Sequence, residues 1–260
     1  MSRDDLTARM EHTYSWLADF YPGLLVVIPL AVLTVCIYGT RHLFASSALA
    51  LLFFLGAGLA LLHASTTASA RLRFQLFAKW GGNPAVQILR HRNTLLDPFE
   101  KARIHRALAT AIGQPLPRTI DEMENPLRAD ALYRLATHWL RTRTRSIRRY
   151  PRVFSRRIVY AFYLHAIALR PLGILVSLLC IAWALQHAGV IGMALPYFYS
   201  DALVTLTPAT WIALITAAMT LLLWTCVLSE SALERTAFAY ALSLLQGCEE
   251  DLLQRSVLRV

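Results

Sequence analysis

Apolar runs free of charge alternate with arginine-rich polar stretches along this chain, and the runs fall into two pairs. Pro22 to Thr40 (PGLLVVIPLAVLTVCIYGT) carries no charged residue, and neither does Leu43 to Ala70. Leu172 to Ala194 and Thr205 to Ser229 form the second pair, with Asp201 the one charge between them. A helix crosses the hydrocarbon core with about 20 apolar residues. A lysine or arginine at mid-membrane costs about 3 kcal/mol, so charge-free runs of this length are a specific signal. The pattern predicts an all-α membrane protein with four transmembrane helices in two hairpins, at 22–40 and 43–65 (hairpin 22–70) and at 172–192 and 207–229 (hairpin 171–229). A helical domain, 71–170, is inserted between them.

Polar punctuation divides that insert into helices. Gly-Gly and Asn-Pro in KWGGNP (Lys79 to Pro84) mark a turn. In DPFE, Asp97 caps a helix with Pro98 at its first position, predicted to run to Ile112. GQPLPRT breaks it, and Thr119 to Glu122 has capping-box spacing. Asn125-Pro126 opens a third helix, whose Leu132, Leu135, Ala136 and Trp139 recur at helical spacing and predict one buried face. Pro151 is read as an interruption, after which Val153 to Leu169 leads into the third crossing. Outside the membrane pairs, 1–21 reads as an amphipathic helix striped by Leu6, Met10, Tyr14, Leu17 and Tyr21. Residues 230–260 read as a cytoplasmic helix striped by Leu233, Ala237, Ala241, Leu244, Cys248 and Leu252, with an acidic cluster Glu249, Glu250, Asp251.

Composition agrees with this picture. The chain is 56% hydrophobic and 16% charged, where soluble domains carry about 25% charged residues. Net charge is +10, and the positions of the basic residues set the orientation. Segment 71–170 holds twenty of the 26 lysines and arginines against six acids, while the turns 41–42 and 195–204 hold one and none. The positive-inside bias places 71–170 and both chain ends in the cytoplasm of a multi-pass, inner-membrane protein. Residues 1 to 21 carry four acids against two arginines, so no cleavable signal is expected. Cys36, Cys180, Cys226 and Cys248 are scattered and predict neither a disulfide framework nor a metal site.

The densest feature is RTRTRSIRRYPRVFSRR: Arg141, Arg143, Arg145, Arg148, Arg149, Arg152, Arg156 and Arg157, with no carboxylate among them. Guanidinium groups match phosphate bidentately, and with Arg90 and Arg92 the run reads as a phosphate-binding surface. Trp80, Trp139 and Tyr150 are candidate stacking platforms for bases. The competing reading is topological, in which the arginines lie against anionic headgroups at about 1 kcal/mol each; it suits Arg152, Arg156 and Arg157 best. On the last crossing, Thr216 and Thr220 are candidate pore-lining residues, although membrane threonines commonly bond their own helix. Gly56/Ala60 and Ala64/Ala68 offer small-residue contacts for an assembly of several copies.

No HExxH, GxSxG, Walker A or GxGxxG motif occurs, and His91, His105 and His138 read as exposed or capping histidines. No catalytic residue, metal or cofactor is expected. The absence of acids within the crossings argues against an ion-coupled transporter.

KWGGNP, LRHRNT, DPFEKARIHRAL, LYRLATHWLRTRTR and ALRPLG, between Lys79 and Gly173, resemble the cytoplasmic core of small four-helix membrane effectors of bacterial antiphage systems, such as the Hailong type. That resemblance implies a homo-oligomeric channel gated by an oligonucleotide or cyclic nucleotide, working beside a nucleotide-synthesising partner enzyme. The alternative is a non-conducting membrane scaffold that recruits a soluble or nucleic-acid-bound partner.

Overall fold

A computed structural model describes the backbone of residues 3–191 and 206–257, and side chains at 18–37, 54–191 and 206–248. It is all-helical, with 83% of the chain in helix and no strand among the described residues. The helices are α1 (Arg3–Lys79), α2 (Pro84–Leu89), α3 (Pro98–Ile112), α4 (Thr119–Glu124), α5 (Pro126–Arg143), α6 (Pro151–His187), α7 (Pro208–Leu222) and α8 (Glu230–Val257). A π-helical turn, Leu223–Val227, extends α7.

Among the described residues, three stretches are long and apolar enough to cross a membrane: Ala18–Ile37, Pro151–His187 and Pro208–Val227. The predicted crossing at 43–65 falls partly outside the described side chains. So do the turn 195–204, the stripe from Leu6 to Leu17, Leu252 and the acidic cluster 249–251. The chain divides into two compact units, one of Met1–Ser15, Arg73–Tyr160 and Glu234–Val260, the other of Trp16–Leu72 and Ala161–Leu233.

In the second unit α1 doubles back on itself. A Cβ on Gly23 would meet Leu61 Cβ at 3.4 Å, and one on Gly58 would meet the Phe20 ring at 3.2 Å. A straight helix would hold residues 23 and 61 about 57 Å apart. Gly58, Ser65 and Ser69 are buried, whereas Gly56 and Ala60 are exposed. The predicted Gly56/Ala60 contact is thus not used within this chain; the close approach runs through Gly58. Ser65 and Ser69 stay satisfied by donating to Leu62 and Thr66 carbonyls at 2.8 and 3.0 Å. A small core joins Leu33 to Cys180 and Ala184 of α6 and to Ala213 and Ala217 of α7.

The first unit has its own core, in which Ile88 and Leu89 of α2, Ile104 and Leu108 of α3, Tyr133 and Leu140 of α5, and Leu244 and Leu245 of α8 are fully buried. The C-terminal helix is thus part of this unit's core. The buried stripe Leu233, Ala237, Ala241, Leu244, Cys248 follows the predicted one as far as the described residues reach. Local chemistry sets the helix ends. Asp97 accepts from Phe99 N–H at 2.9 Å with Pro98 following, and Gly113 closes α3 in the left-handed region at φ 69°. Asn125 accepts from Arg128 N–H at 3.1 Å ahead of Pro126. The Thr119/Glu122 capping box lies one residue off: Asp121 accepts from Arg118 N–H at 3.0 Å. Pro151 is likewise not an interruption but the first residue of α6, a position where its missing N–H costs nothing.

Candidate functional site

The arginine run occupies the end of α5, a short connector and the start of α6. Three buried residues pin the connector: Thr144 and Tyr150 in it, and Val153 just beyond. Thr144 Oγ1 donates to Leu140 O at 2.9 Å, closing α5. Gly247 of α8 lies against all three, with its Cβ position 3.2 Å from Val153 Cγ2 and 3.5 Å from the Tyr150 ring. With these anchors turned inward, Arg141, Arg143, Arg145, Arg148, Arg149, Arg152 and Arg156 are all exposed. Arg157 is half-buried, its guanidinium 5.4 Å from the centre of the Phe154 ring, and Arg149 stands 5.7 Å from that of Tyr150. Such a surface offers many guanidinium forks to a polyanion.

The remaining sequence candidates separate. Tyr150 is 2% exposed, so its ring is a core anchor and not a platform for bases. Trp139 is half-buried and packs against the same core. Trp80 is half-buried, tilted against Phe77 with ring centres 6.1 Å apart. Arg92 is exposed on the α2–α3 loop. Arg90 is committed elsewhere: Nε and Nη2 donate to the two oxygens of Asp130 at 2.9 and 2.6 Å. Its pairing with that carboxylate raises the guanidinium pKa despite burial. Arg90 is a structural ion pair, which corrects its reading as a phosphate ligand.

Around Arg90 lies a polar network that the sequence did not announce. Glu122 accepts from His91 N–H at 2.9 Å and from Tyr133 O–H at 3.0 Å. Lys101, 6% exposed, donates to Arg90 O at 2.9 Å and to Asn93 O, with His91 O at 3.5 Å. Its ammonium thus clamps the α2–α3 loop and offers nothing to a ligand, and burial lowers its pKa. His105 pairs Nε2 with Leu89 O at 2.9 Å and stands edge-on to His91, ring centres 5.0 Å apart. Burial lowers its pKa from 6.5 to about 4. Burial, then Glu122, raise that of Tyr133. Of the two roles predicted for His105, exposed or capping, the contact to Leu89 O at the end of α2 fits the second, and burial keeps the ring neutral. Among the described residues, no group of three or more His, Cys, Asp or Glu could hold a metal ion.

In the second unit, Thr220 and Thr216 return their hydroxyls to their own helix, Thr220 to Thr216 O at 3.0 Å and Thr216 to Ile212 O at 2.8 Å. Thr220 also meets Ser177 of α6 at 3.2 Å, so it faces a neighbouring helix of the same chain. That corrects its reading as a pore-lining group. The outward residues of α7 (Trp211, Ile212, Ile215, Met219, Leu222) are apolar, as lipid-facing residues are.

No known protein family, curated protein or solved structure matches this chain.

Proposed function

We propose that this chain forms an oligomeric channel of the bacterial inner membrane, gated by a phosphate-rich nucleotide or oligonucleotide bound on its basic helical unit. The observation that carries the reading is the placement of the arginine run. Exposed guanidiniums stand at the start of α6, and α6 continues unbroken from Pro151 to His187 into an apolar span. A ligand that binds two states of such a helix unequally shifts their balance.

The topology belongs to the same proposal. Residues 43–65 make a fourth crossing, antiparallel to the first, which the Gly23–Leu61 approach supports. The basic unit and both ends are cytoplasmic. The antiphage setting and a nucleotide-synthesising partner enzyme come from the resemblance only.

Binding of fluorescent oligoadenylate to the protein in phosphatidylcholine nanodiscs tests the reading. Affinity should fall linearly with salt on a log–log plot, as counterion release requires. Replacing Arg141, Arg143, Arg145, Arg148 and Arg149 with glutamine, while Arg156, Arg157 and Arg170 keep the topology, should abolish it. Unchanged binding by that variant would remove the basic run from the account.

A further inference from the structure

The α2–α3 loop and the first turns of α3 bound a cavity of about 400 Å³, lined by His91, Asn93, Thr94, Asp97, Lys101 and His105 among others. A pocket of this size accepts a small organic ligand. Its walls are tied together. Lys101 Nζ donates to the carbonyls of Arg90 and Asn93, and the His91 and His105 rings stand edge-on with centres 5.0 Å apart. Leu96, 3% exposed, adds an apolar wall.

The hydrogen bonds already made decide what a ligand would meet. His91 Nε2 pairs with Pro117 O and His105 Nε2 with Leu89 O, each at 2.9 Å. A carbonyl only accepts, so both rings carry a proton on Nε2, and a neutral ring then keeps Nδ1 as an acceptor. Burial holds His105 in that neutral form. Asp97 Oδ2 accepts from Phe99 N–H at 2.9 Å, which leaves Oδ1 as a further acceptor. Asn93 Oδ1 accepts from Leu95 N–H at 2.9 Å, so its amide N–H groups and the Thr94 hydroxyl are the donors left over.

The charge balance is equally selective. The Lys101 ammonium is spent on backbone carbonyls, so the pocket has a carboxylate and no cation free to oppose it. A phosphate buried there would go unpaired beside Asp97. Arg92, between His91 and Asn93 in sequence, is exposed and has no ion pair or hydrogen bond among the described residues.

We propose that this cavity is the nucleoside pocket of the basic unit, taking a base that bears an exocyclic amine, such as adenine, together with its ribose. The amine and the ribose hydroxyls donate to the histidine nitrogens and Asp97, while Asn93 and Thr94 donate to ring nitrogens of the base. The attached phosphate stays outside, where Arg92 is available on the same loop. The inference rests on the nucleotide-ligand reading above and adds base selectivity to it.

Calorimetric titration of the full-length protein in phosphatidylcholine nanodiscs with oligoadenylate and with oligouridylate of equal length is the test. The two carry the same phosphates, so the arginine surface holds them alike, but uracil has no exocyclic amine. The wild type should prefer oligoadenylate about tenfold or more. Asp97→Asn keeps the helix cap and turns the free acceptor into a donor, and Thr94→Val alters an exposed side chain that holds nothing else in place. Each should cut the preference to about threefold or less while oligouridylate affinity stays near wild type. Equal wild-type affinities, or a preference that survives Asp97→Asn and Thr94→Val, would overturn the pocket and leave the basic surface standing. Binding of neither oligonucleotide by the wild type would overturn both.

Discussion

Gly173 of α6 and Trp224 of the π turn touch so closely that a methyl group at 173 would lie 2.2 Å from Trp224 Cε2. The indole is fully buried there, and among the described residues its Nε1 has no hydrogen-bond partner. Flanking contacts complete the lock: Ser177 donates to Gly173 O at 2.8 Å, and Arg170 Nη2 donates to Thr225 O at 3.3 Å. The second of these engages a carbonyl of the π turn itself. π turns concentrate at functional positions of helices, and this one sits where the last apolar helix ends.

Gly173→Ala should therefore force the indole from its seat. Overpacking of this kind costs about 1–3 kcal/mol. Thermal unfolding in detergent, followed by tryptophan fluorescence, should show a lowered midpoint, partly restored in Gly173→Ala/Trp224→Leu. A wild-type midpoint for the single variant would refute the contact.

The Arg90–Asp130 pair makes a separate prediction for the helical unit. Asp130→Ala leaves a half-buried guanidinium without its acceptor and should cost about 2 kcal/mol, read as a lowered unfolding midpoint. Arg90→Gln should also destabilise, yet leave oligoadenylate affinity near wild type once folded. A specific loss of binding would return Arg90 to the ligand site.

His105 sets a pH dependence with a definite sign. Its folded-state pKa of about 4 lies below the ordinary 6.5. Above pH 6.5 the ring is neutral folded or unfolded and contributes no slope. Between these values the unfolded chain takes up a proton that the folded one refuses, so stability falls with acidification. The loss approaches about 3 kcal/mol near pH 4. Melting of wild type and His105→Gln at neutral and acid pH checks this: the variant should lose less of its midpoint. Parallel losses would remove His105 as the cause.

Topology is open to direct labelling. Single cysteines in a cysteine-free background, at positions 92 and 145 and near the C-terminus, should resist a membrane-impermeant maleimide in intact spheroplasts and react after lysis. A cysteine within 41–42 should react from outside. Labelling of 92 from outside would reverse the proposed orientation.

What the sequence made legible was mostly local. Asp97-Pro98 and Asn125-Pro126 mark their helix starts because cap and proline act within one turn, and α3 spans Pro98–Ile112 as the pattern predicts. Pairings across long separations were not legible. Asp130 lies forty residues from Arg90, and no local pattern distinguishes that arginine from its exposed neighbour Arg92. Tyr150 sits among arginines like a stacking platform, and only the approach of Gly247 from α8 shows it to be an anchor. His105 could have been found: it follows Lys101 by one turn and adjoins Ile104, on the face that also buries Leu108. The close approach of Gly58 to Phe20 and Gly23 within the chain was likewise not legible, because a single glycine between Gly56 and Ala60 carries no small-residue spacing of its own.

The central claim is that a polyanion on the arginine-bearing unit changes the state of the membrane helices. Ion flux from liposomes holding the purified protein, with oligoadenylate added to the face that exposes the basic unit, tests it most directly. Ligand-dependent flux should appear or disappear in the wild type and be insensitive to ligand when Arg141, Arg143, Arg145, Arg148 and Arg149 are glutamine. An intact, ligand-binding oligomer that passes no ions with or without ligand would contradict the channel account and leave a membrane scaffold in its place.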